Sequence, residues 1–167
     1  MSVLRTAVQK VSSTRAFARV GPHVVPAVDR FVHRATRGKV LLSARMLPGL
    51  VLTATGARSG LPRRTPLACM PEEGGTFVLV GSNFGRTDHP AWTGNLLKHP
   101  DAEVSWRGRD VPVRAELLTG GEREAVWAAL LEFWPPYATY ARRVDRRIRL
   151  FRLVPREPGG GGGAVEP

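Results

Sequence analysis

Three stretches of the sequence combine residue types that do chemistry. The first is Gly56-Ala57-Arg58-Ser59-Gly60-Leu61-Pro62-Arg63-Arg64-Thr65. It follows a short apolar, β-branched run, so it projects from the end of a strand. Glycine lets the backbone approach a ligand closely. Arg58, Arg63 and Arg64 carry planar guanidinium forks suited to phosphate or carboxylate, and Ser59 and Thr65 add hydroxyls. The pattern fits a clamp for a polyanion; a solvated basic turn fits the composition equally well.

The second stretch is Gly81-Ser82-Asn83-Phe84-Gly85, at the end of another strand pattern and just before His89-Pro90-Ala91-Trp92-Thr93-Gly94-Asn95-Leu96. Small residues there suit a planar heterocycle, whose carbonyls would be met by backbone N–H groups and whose face by Trp92. A plain core role for Trp92 is the competing reading. The third is Trp134-Pro135-Pro136-Tyr137-Ala138-Thr139-Tyr140, which holds both tyrosines of the chain. Three residues apart on a helix, they share a face. Their hydroxyls suit orienting or protonating a substrate, with ordinary aromatic packing as the alternative.

Other chemistries lack their residues. His23, His33, His89 and His99 show no metal-ligand spacing, and no H-E-x-x-H, P-loop or G-x-S-x-G motif is present. The single cysteine, Cys69, excludes an internal disulfide and reads as a buried structural thiol. No apolar run of about 18 residues is available for a membrane-spanning helix.

The elements that must position these stretches follow from patterning. Strands are expected at Leu50–Thr55, Arg64–Met70, Thr76–Ser82, Ala102–Trp106, Asp110–Leu118 and Ile148–Val154. Helices are expected at Pro90–Lys98, capped by Asp88, and from Thr119 to Phe133. The second would carry a Thr119/Glu122 capping box and an apolar face of Val126, Ala129, Leu130 and Phe133. Six strands with few helices point to an antiparallel barrel within a β-dominated α+β domain, not a doubly wound sheet.

The 167 residues suit one domain. Their net charge of +11 is uneven. The first 64 residues hold 12 basic groups and one acid, Asp29, whereas the rest balances. Residues 1–23 read as a basic, loosely ordered segment without a secretory signal's apolar core. Residues 24–37 read as an amphipathic helix, and residues 24–155 as the folded domain. Residues 156–167, with Gly159 to Gly163 in a row, read as a disordered tail. The basic start suits an anionic partner, a membrane surface before nucleic acid, since no aromatic-interleaved basic stripe occurs. A non-catalytic membrane-surface module is therefore one reading of the chain.

In order and spacing, the three stretches resemble the deazaflavin-dependent nitroreductases, also described as F420H2-dependent quinone reductases. The resemblance runs through Ala54-Thr55-Gly56-Ala57-Arg58-Ser59-Gly60-Leu61-Pro62-Arg63-Arg64-Thr65-Pro66-Leu67 and Gly81-Ser82-Asn83-Phe84-Gly85. It continues through Pro90-Ala91-Trp92-Thr93-Gly94-Asn95-Leu96, Trp134 to Tyr140, and Val144-Asp145-Arg146-Arg147-Ile148-Arg149.

The resemblance implies an FMN-binding-like split β-barrel of about six antiparallel strands, and reduced coenzyme F420 as cofactor. It implies hydride transfer to a quinone-like or nitro-bearing substrate. Without a secretory signal the protein is expected to be cytoplasmic, monomer or homodimer, with a peripheral membrane location left open by its basic start. Ala57, Arg58 and Ser59, with Arg63, Arg64, Thr65, Pro66, Leu67 and Ala68, would hold the phosphate-bearing chain of the cofactor. Val80, Gly81, Ser82 and Asn83, with Ala91, Trp92, Thr93, Gly94 and Asn95, would frame its ring. Tyr137 would lie over the substrate, with Tyr140 and Ser82 orienting its carbonyl or nitro group; no metal is implied. Ala57 stands where the family has Arg, and Trp134 where it has its first tyrosine. A barrel of this shape also hosts FMN or FAD, which is the alternative cofactor.

Overall fold

The computed structural model describes residues 47–156. The expected basic N-terminal segment, the helix at 24–37 and the Gly-rich tail from residue 157 on lie outside the described residues. Six strands form the frame: β1 (Gly49–Thr55), β2 (Pro62–Pro71), β3 (Phe77–Val80), β4 (Asp101–Trp106), β5 (Arg109–Leu117) and β6 (Leu150–Pro155). Among the described residues three α-helices accompany them: α1 (Ala91–Lys98), α2 (Gly120–Phe133) and α3 (Pro136–Ala141).

Every pairing is antiparallel, and β4 returns to β1, closing a barrel in the order β1-β2-β3-β6-β5-β4. Closure leaves no edge strand open to other chains. Alternation decides which side chains go inside. Leu50, Leu52 and Ala54 face inward with their register partners on β2, Leu67, Thr65 and Arg63. Leu79, Val104, Val113, Phe151 and Leu153 join the apolar core inside the barrel. α1 plugs one end of it, where Trp92 meets Phe151 with ring centroids 5.8 Å apart.

A second core lies outside the barrel wall. Val78 and Leu150 bury against Val126, Leu130, Trp134, Tyr137 and Tyr140 of the α2–α3 layer. The face of α2 differs from the expected stripe. Arg123, Val126 and Leu130 are buried, whereas Ala129 is exposed. Arg123 can enter because its charge is satisfied: Nη2 donates to Ile148 O at 3.1 Å and Nη1 meets Glu124 at 2.8 Å. Its guanidinium also lies 5.7 Å from the Trp127 ring centre.

Neither side-chain cap forms. Thr119 occupies the N-cap of α2 without a side-chain bond, and Glu122 pairs with Arg152. Arg152 also holds Glu72, which ties the β2–β3 turn and the start of α2 to β6. Pro90, not Asp88, caps α1, and the Asp88 carbonyl receives the Asn83 side chain.

All the expected chemistry gathers at one end of the barrel. The β1–β2 turn, the 81–90 loop and α1 lie there. The other end, where β2, β4 and β6 terminate, carries a shallow cavity of about 340 Å³ lined by Phe77, Trp106, Arg107 and Arg109 among others.

Candidate functional site

The basic turn is built tightly and then anchored. Gly56 N–H donates to Leu61 O and Gly60 N–H to Gly56 O, at 2.9 and 2.8 Å. A Cβ on Gly56 would stand 2.6 Å from Ser59 Oγ. Helix α1 grips the turn by its backbone: Ala57 N–H donates to Asn95 Oδ1 at 2.9 Å, and Lys98 Nζ donates to Ala57 O at 2.7 Å. Arg58, Ser59, Arg63 and Arg64 are all exposed. Arg63 reaches back to Ser59 Oγ at 3.4 Å. Arg63 pairs in register with inward-facing Ala54 and Arg64 with Thr53, so the two arginines leave opposite faces of β2. Thr65 and Leu67 follow Arg63 inward, whereas Pro66 and Ala68 share the face of Arg64.

The second stretch leaves β3 after Val80 and turns sharply. Ser82 is right-handed (φ −68°), but Asn83, Phe84 and Gly85 are successively left-handed, with φ of 48°, 56° and 74°. For residues with a Cβ that conformation costs about 1–3 kcal/mol each, so the surroundings must impose it. They do so by close contact. A Cβ on Gly85 would lie 3.1 Å from Tyr140 Cα, and one on Gly81 2.9 Å from Thr93 Cγ2. Gly81 N–H is tied to Arg149 O at 2.8 Å. The N–H groups of Ser82 and Asn83 have no partner among the described residues.

Helix α1 frames the same end. Trp92 is buried in the barrel core, which makes it a plug and not the wall of an open ring site. Thr93 is fully buried; its Oγ1 donates to Pro90 O at 2.8 Å and accepts from Arg149 Nη1 at 3.1 Å. Gly94 faces open space where a side chain would stand, and Ala91 is exposed.

The tyrosines sit on α3 in an aromatic row. Trp127 and Tyr137 have ring centroids 6.3 Å apart, Tyr137 and Tyr140 6.2 Å, and Tyr140 and Phe84 6.3 Å. Tyr140 therefore touches the 81–86 loop directly, and Tyr137 lies one ring further in. Burial, with Tyr140 and Cys69 close by, pushes the Tyr137 phenol well above its ordinary range, so it stays protonated and acts only as a donor or acceptor of hydrogen bonds. Burial likewise pushes the Cys69 thiol up to about 12, which makes it inert. Trp134 lies in the outer core at 4% exposure, so its indole is packing, not a ligand group.

Three residues given no role from the sequence stand at the centre of this end. Arg146, Arg149 and His89 join the 81–90 loop to the segment before β6. Arg146 is carried by the third motif, in Val144-Asp145-Arg146, but an arginine in a loop gives no periodic signal. Only its partners, 57 to 65 positions away, reveal it.

A closed six-stranded antiparallel barrel with a basic turn, a glycine-cradled loop and an aromatic row at one end is a split β-barrel of the FMN-binding-like kind. Residues 27–155 match the F420H(2)-dependent quinone reductase family. The chain belongs to that family. Its cofactor is reduced F420, and it is an F420H2-dependent oxidoreductase.

Individual relatives agree. Rv3178 of Mycobacterium tuberculosis is 26% identical over 110 residues, 66% of this chain and 92% of that protein. The F420H(2)-dependent quinone reductase Rv1261c of the same organism is 32% identical over 78 residues, 44% of this chain and half of that protein's length. The solved F420-H2 dependent reductase FDR-A superposes with a TM-score of 0.57 at 37% identity, covering 64% of this chain and 93% of that one. A solved domain-swapped dimer superposes with a TM-score of 0.60 at 33% identity, covering 75% and 96%.

The residues present fit the cofactor. F420 carries a phosphate and an oligoglutamate tail, and Arg58 and Arg63 stand exposed on the anchored turn. Its ring carries carbonyls, and the Ser82 and Asn83 N–H groups, without a partner among the described residues, would meet them.

Proposed function

We propose that the chain reduces a quinone-like or nitro-bearing acceptor at the α1–α3 end of the barrel, with the ring of F420 seated on the 81–86 loop. The Ser82 and Asn83 amides, without a partner among the described residues and set in a strained loop at a strand end, carry this reading. When bound, the reduced deazaflavin supplies a hydride to the acceptor. The protein's own work is binding, orientation and electrostatics.

Ala57, Arg58, Ser59 and the Arg63 to Ala68 segment hold the anionic chain. Arg64 binds it from the outer face of β2 or serves as a general positive field. Val80 to Asn83 and Ala91 to Asn95 frame the ring, with Thr93 and Asn95 acting through the backbone they fix and Trp92 through the plug it forms. Ser82 and Tyr140 orient the acceptor's oxygen. Tyr137, held protonated by burial, donates toward the oxygen that gains charge.

Fluorescence titration with F420, beside FMN as control, tests the reading. Saturable F420 binding that excludes FMN supports it; binding of FMN alone moves the chain to the flavin alternative. The described residues contain no helix long and apolar enough to span a membrane. The basic first 64 residues motivate peripheral contact with an anionic bilayer. Cosedimentation with anionic liposomes, before and after removal of residues 1–23, tests that contact. Light scattering decides between monomer and homodimer.

A further inference from the structure

Arg146 lies between α3 and β6, yet its guanidinium reaches across to the loop that follows β3. Nη1 donates to Gly81 O at 3.1 Å and Nη2 to Ser82 O at 2.9 Å. Nε and Nη2 both donate to Arg86 O, at 3.3 and 3.0 Å. Nη1 also faces His89 Nδ1 at 3.2 Å. An arginine has no lone pair to offer, so His89 Nδ1 is the acceptor and the imidazole proton sits on Nε2.

The carbonyls chosen matter more than their number. The Gly81 carbonyl shares its peptide plane with the Ser82 N–H, and the Ser82 carbonyl shares its plane with the Asn83 N–H. These are the two amides without a partner among the described residues. The chain has no cis peptide among the described bonds, and in a trans peptide C=O and N–H point in opposite directions. One guanidinium that collects both carbonyls therefore turns both N–H groups the other way. Each peptide is also polarised by the charge on its oxygen, which strengthens the N–H as a donor.

The loop does not hold this shape by itself. Asn83 and Phe84 are left-handed residues with side chains, followed by left-handed Gly85. The loop is also tied by the Asn83 Nδ2 bond to Asp88 O at 3.0 Å, the Gly81 N–H bond to Arg149 O, the Gly85 and Arg86 N–H bonds within the turn and the Phe84–Tyr140 ring contact.

We propose that Arg146 is a positioning residue whose planar fork, gripping the Gly81 and Ser82 carbonyls from behind, turns the Ser82 and Asn83 amides outward and primes them as a paired donor for the carbonyl edge of the ring. This rests on the F420 reading above. It assigns Arg146 to the ring end of the cofactor and separates it from the arginines of the β1–β2 turn, which meet the anionic end. Lysine cannot replace it, because one ammonium on a flexible stem does not span the carbonyls in a plane.

The test compares Arg146→Lys, Arg146→Ala and Arg58→Ala. Two probes are titrated: F420, and its ring fragment lacking the phosphate and glutamate tail. Both Arg146 variants should lose about tenfold in affinity for either probe, the cost of a charge-assisted contact. Arg58→Ala should weaken F420 and leave the fragment unchanged.

Amide NMR of the ligand-free protein gives an independent readout. In Arg146→Lys the Ser82 and Asn83 N–H protons should move upfield as polarisation is lost, and His89 should lose its single tautomer. A merely structural arginine would lower the melting temperature and leave both affinities of the folded variant within twofold of wild type. If Arg146→Ala does not fold, Arg146→Lys and the NMR readout decide. Fragment affinity within twofold of wild type in a folded Arg146 variant, with unmoved amides, overturns the proposal. Wild-type protein that binds neither probe overturns the proposed function itself, a different result from a variant that equals the wild type.

Discussion

Asn95 Oδ1 accepts the backbone N–H of Ala57 at 2.9 Å across 38 residues of sequence, so the helix that plugs the barrel also holds the basic turn. Lys98, one helical turn further on, takes the carbonyl of the same residue. Both polar groups of one peptide-bearing residue are thus fixed by α1. Replacing Asn95 with Ala removes an acceptor and leaves a half-buried N–H unpaired, at a cost of about 1–3 kcal/mol. Affinity for F420 should fall by about five- to tenfold, with the ring fragment affected less. Thermal melting and paired titrations measure both effects.

Gly85 takes a left-handed φ of 74° with Tyr140 Cα 3.1 Å from where a Cβ would stand. Gly85→Ala meets two penalties, conformational and steric. The fold should lose about 1–3 kcal/mol. The loop should also part from α3, loosening the Phe84–Tyr140 contact. Acceptor turnover is then expected to drop further than cofactor affinity. Equal activity with equal stability would show that the loop and α3 move independently of the site.

The barrel itself was legible because inward residues alternate with outward ones along every strand. Leu50, Leu52 and Ala54 announce β1 by period two, and the turns at Gly60 and Gly108 punctuate the hairpins. All six expected strands form, each within two residues of its expected start. The helix caps were not legible. Thr119 and Glu122 have the right spacing, but Arg152, 30 residues on, competes for the Glu122 carboxylate. The buried face of α2 departs from its apolar periodicity for a similar reason. Arg123 counts as polar in any periodicity, whereas its bonds to the buried Ile148 carbonyl and to the exposed Glu124 carboxylate let it lie inward. The site's basic turn and aromatic row were visible as motifs. The bonds of Arg146 to the loop were not, since nothing local to Val144-Asp145-Arg146 encodes partners some 60 positions away.

His89 gives the site a pH dependence whose sign is fixed. Partial burial, then the charges of Arg149 and Arg146, lower its pKa below the ordinary histidine value of 6.5. The neutral ring is also the form that accepts from Arg146. The unfolded chain therefore binds a proton more readily than the native one between the folded pKa and about 6.5. Stability from this group is fully present above pH 6.5 and declines as the pH falls through that window. His89→Gln, an uncharged residue able to accept from Arg146, should flatten the decline in a melting series from pH 7.5 to 5. A slope identical to wild type would assign the acid sensitivity to other groups.

Tyr137→Phe separates the two roles open to the buried phenol. The ring packs between Trp127 and Tyr140, and phenylalanine preserves that volume. The hydroxyl is buried with a raised pKa, so it carries its proton throughout the working range and loses no charge on substitution. If the hydroxyl serves the acceptor's developing charge, kcat should fall by about tenfold or more while F420 affinity stays within about twofold, as for loss of one preorganised donor. The pH profile of the residual activity should keep its shape, because a group that does not titrate cannot contribute a limb to it. Steady-state kinetics with a soluble quinone, beside F420 titration of the same preparation, measures both quantities. Unchanged kcat with a lowered melting temperature would make Tyr137 a packing residue and leave Tyr140, which touches the loop through Phe84, as the aromatic group nearest the reaction.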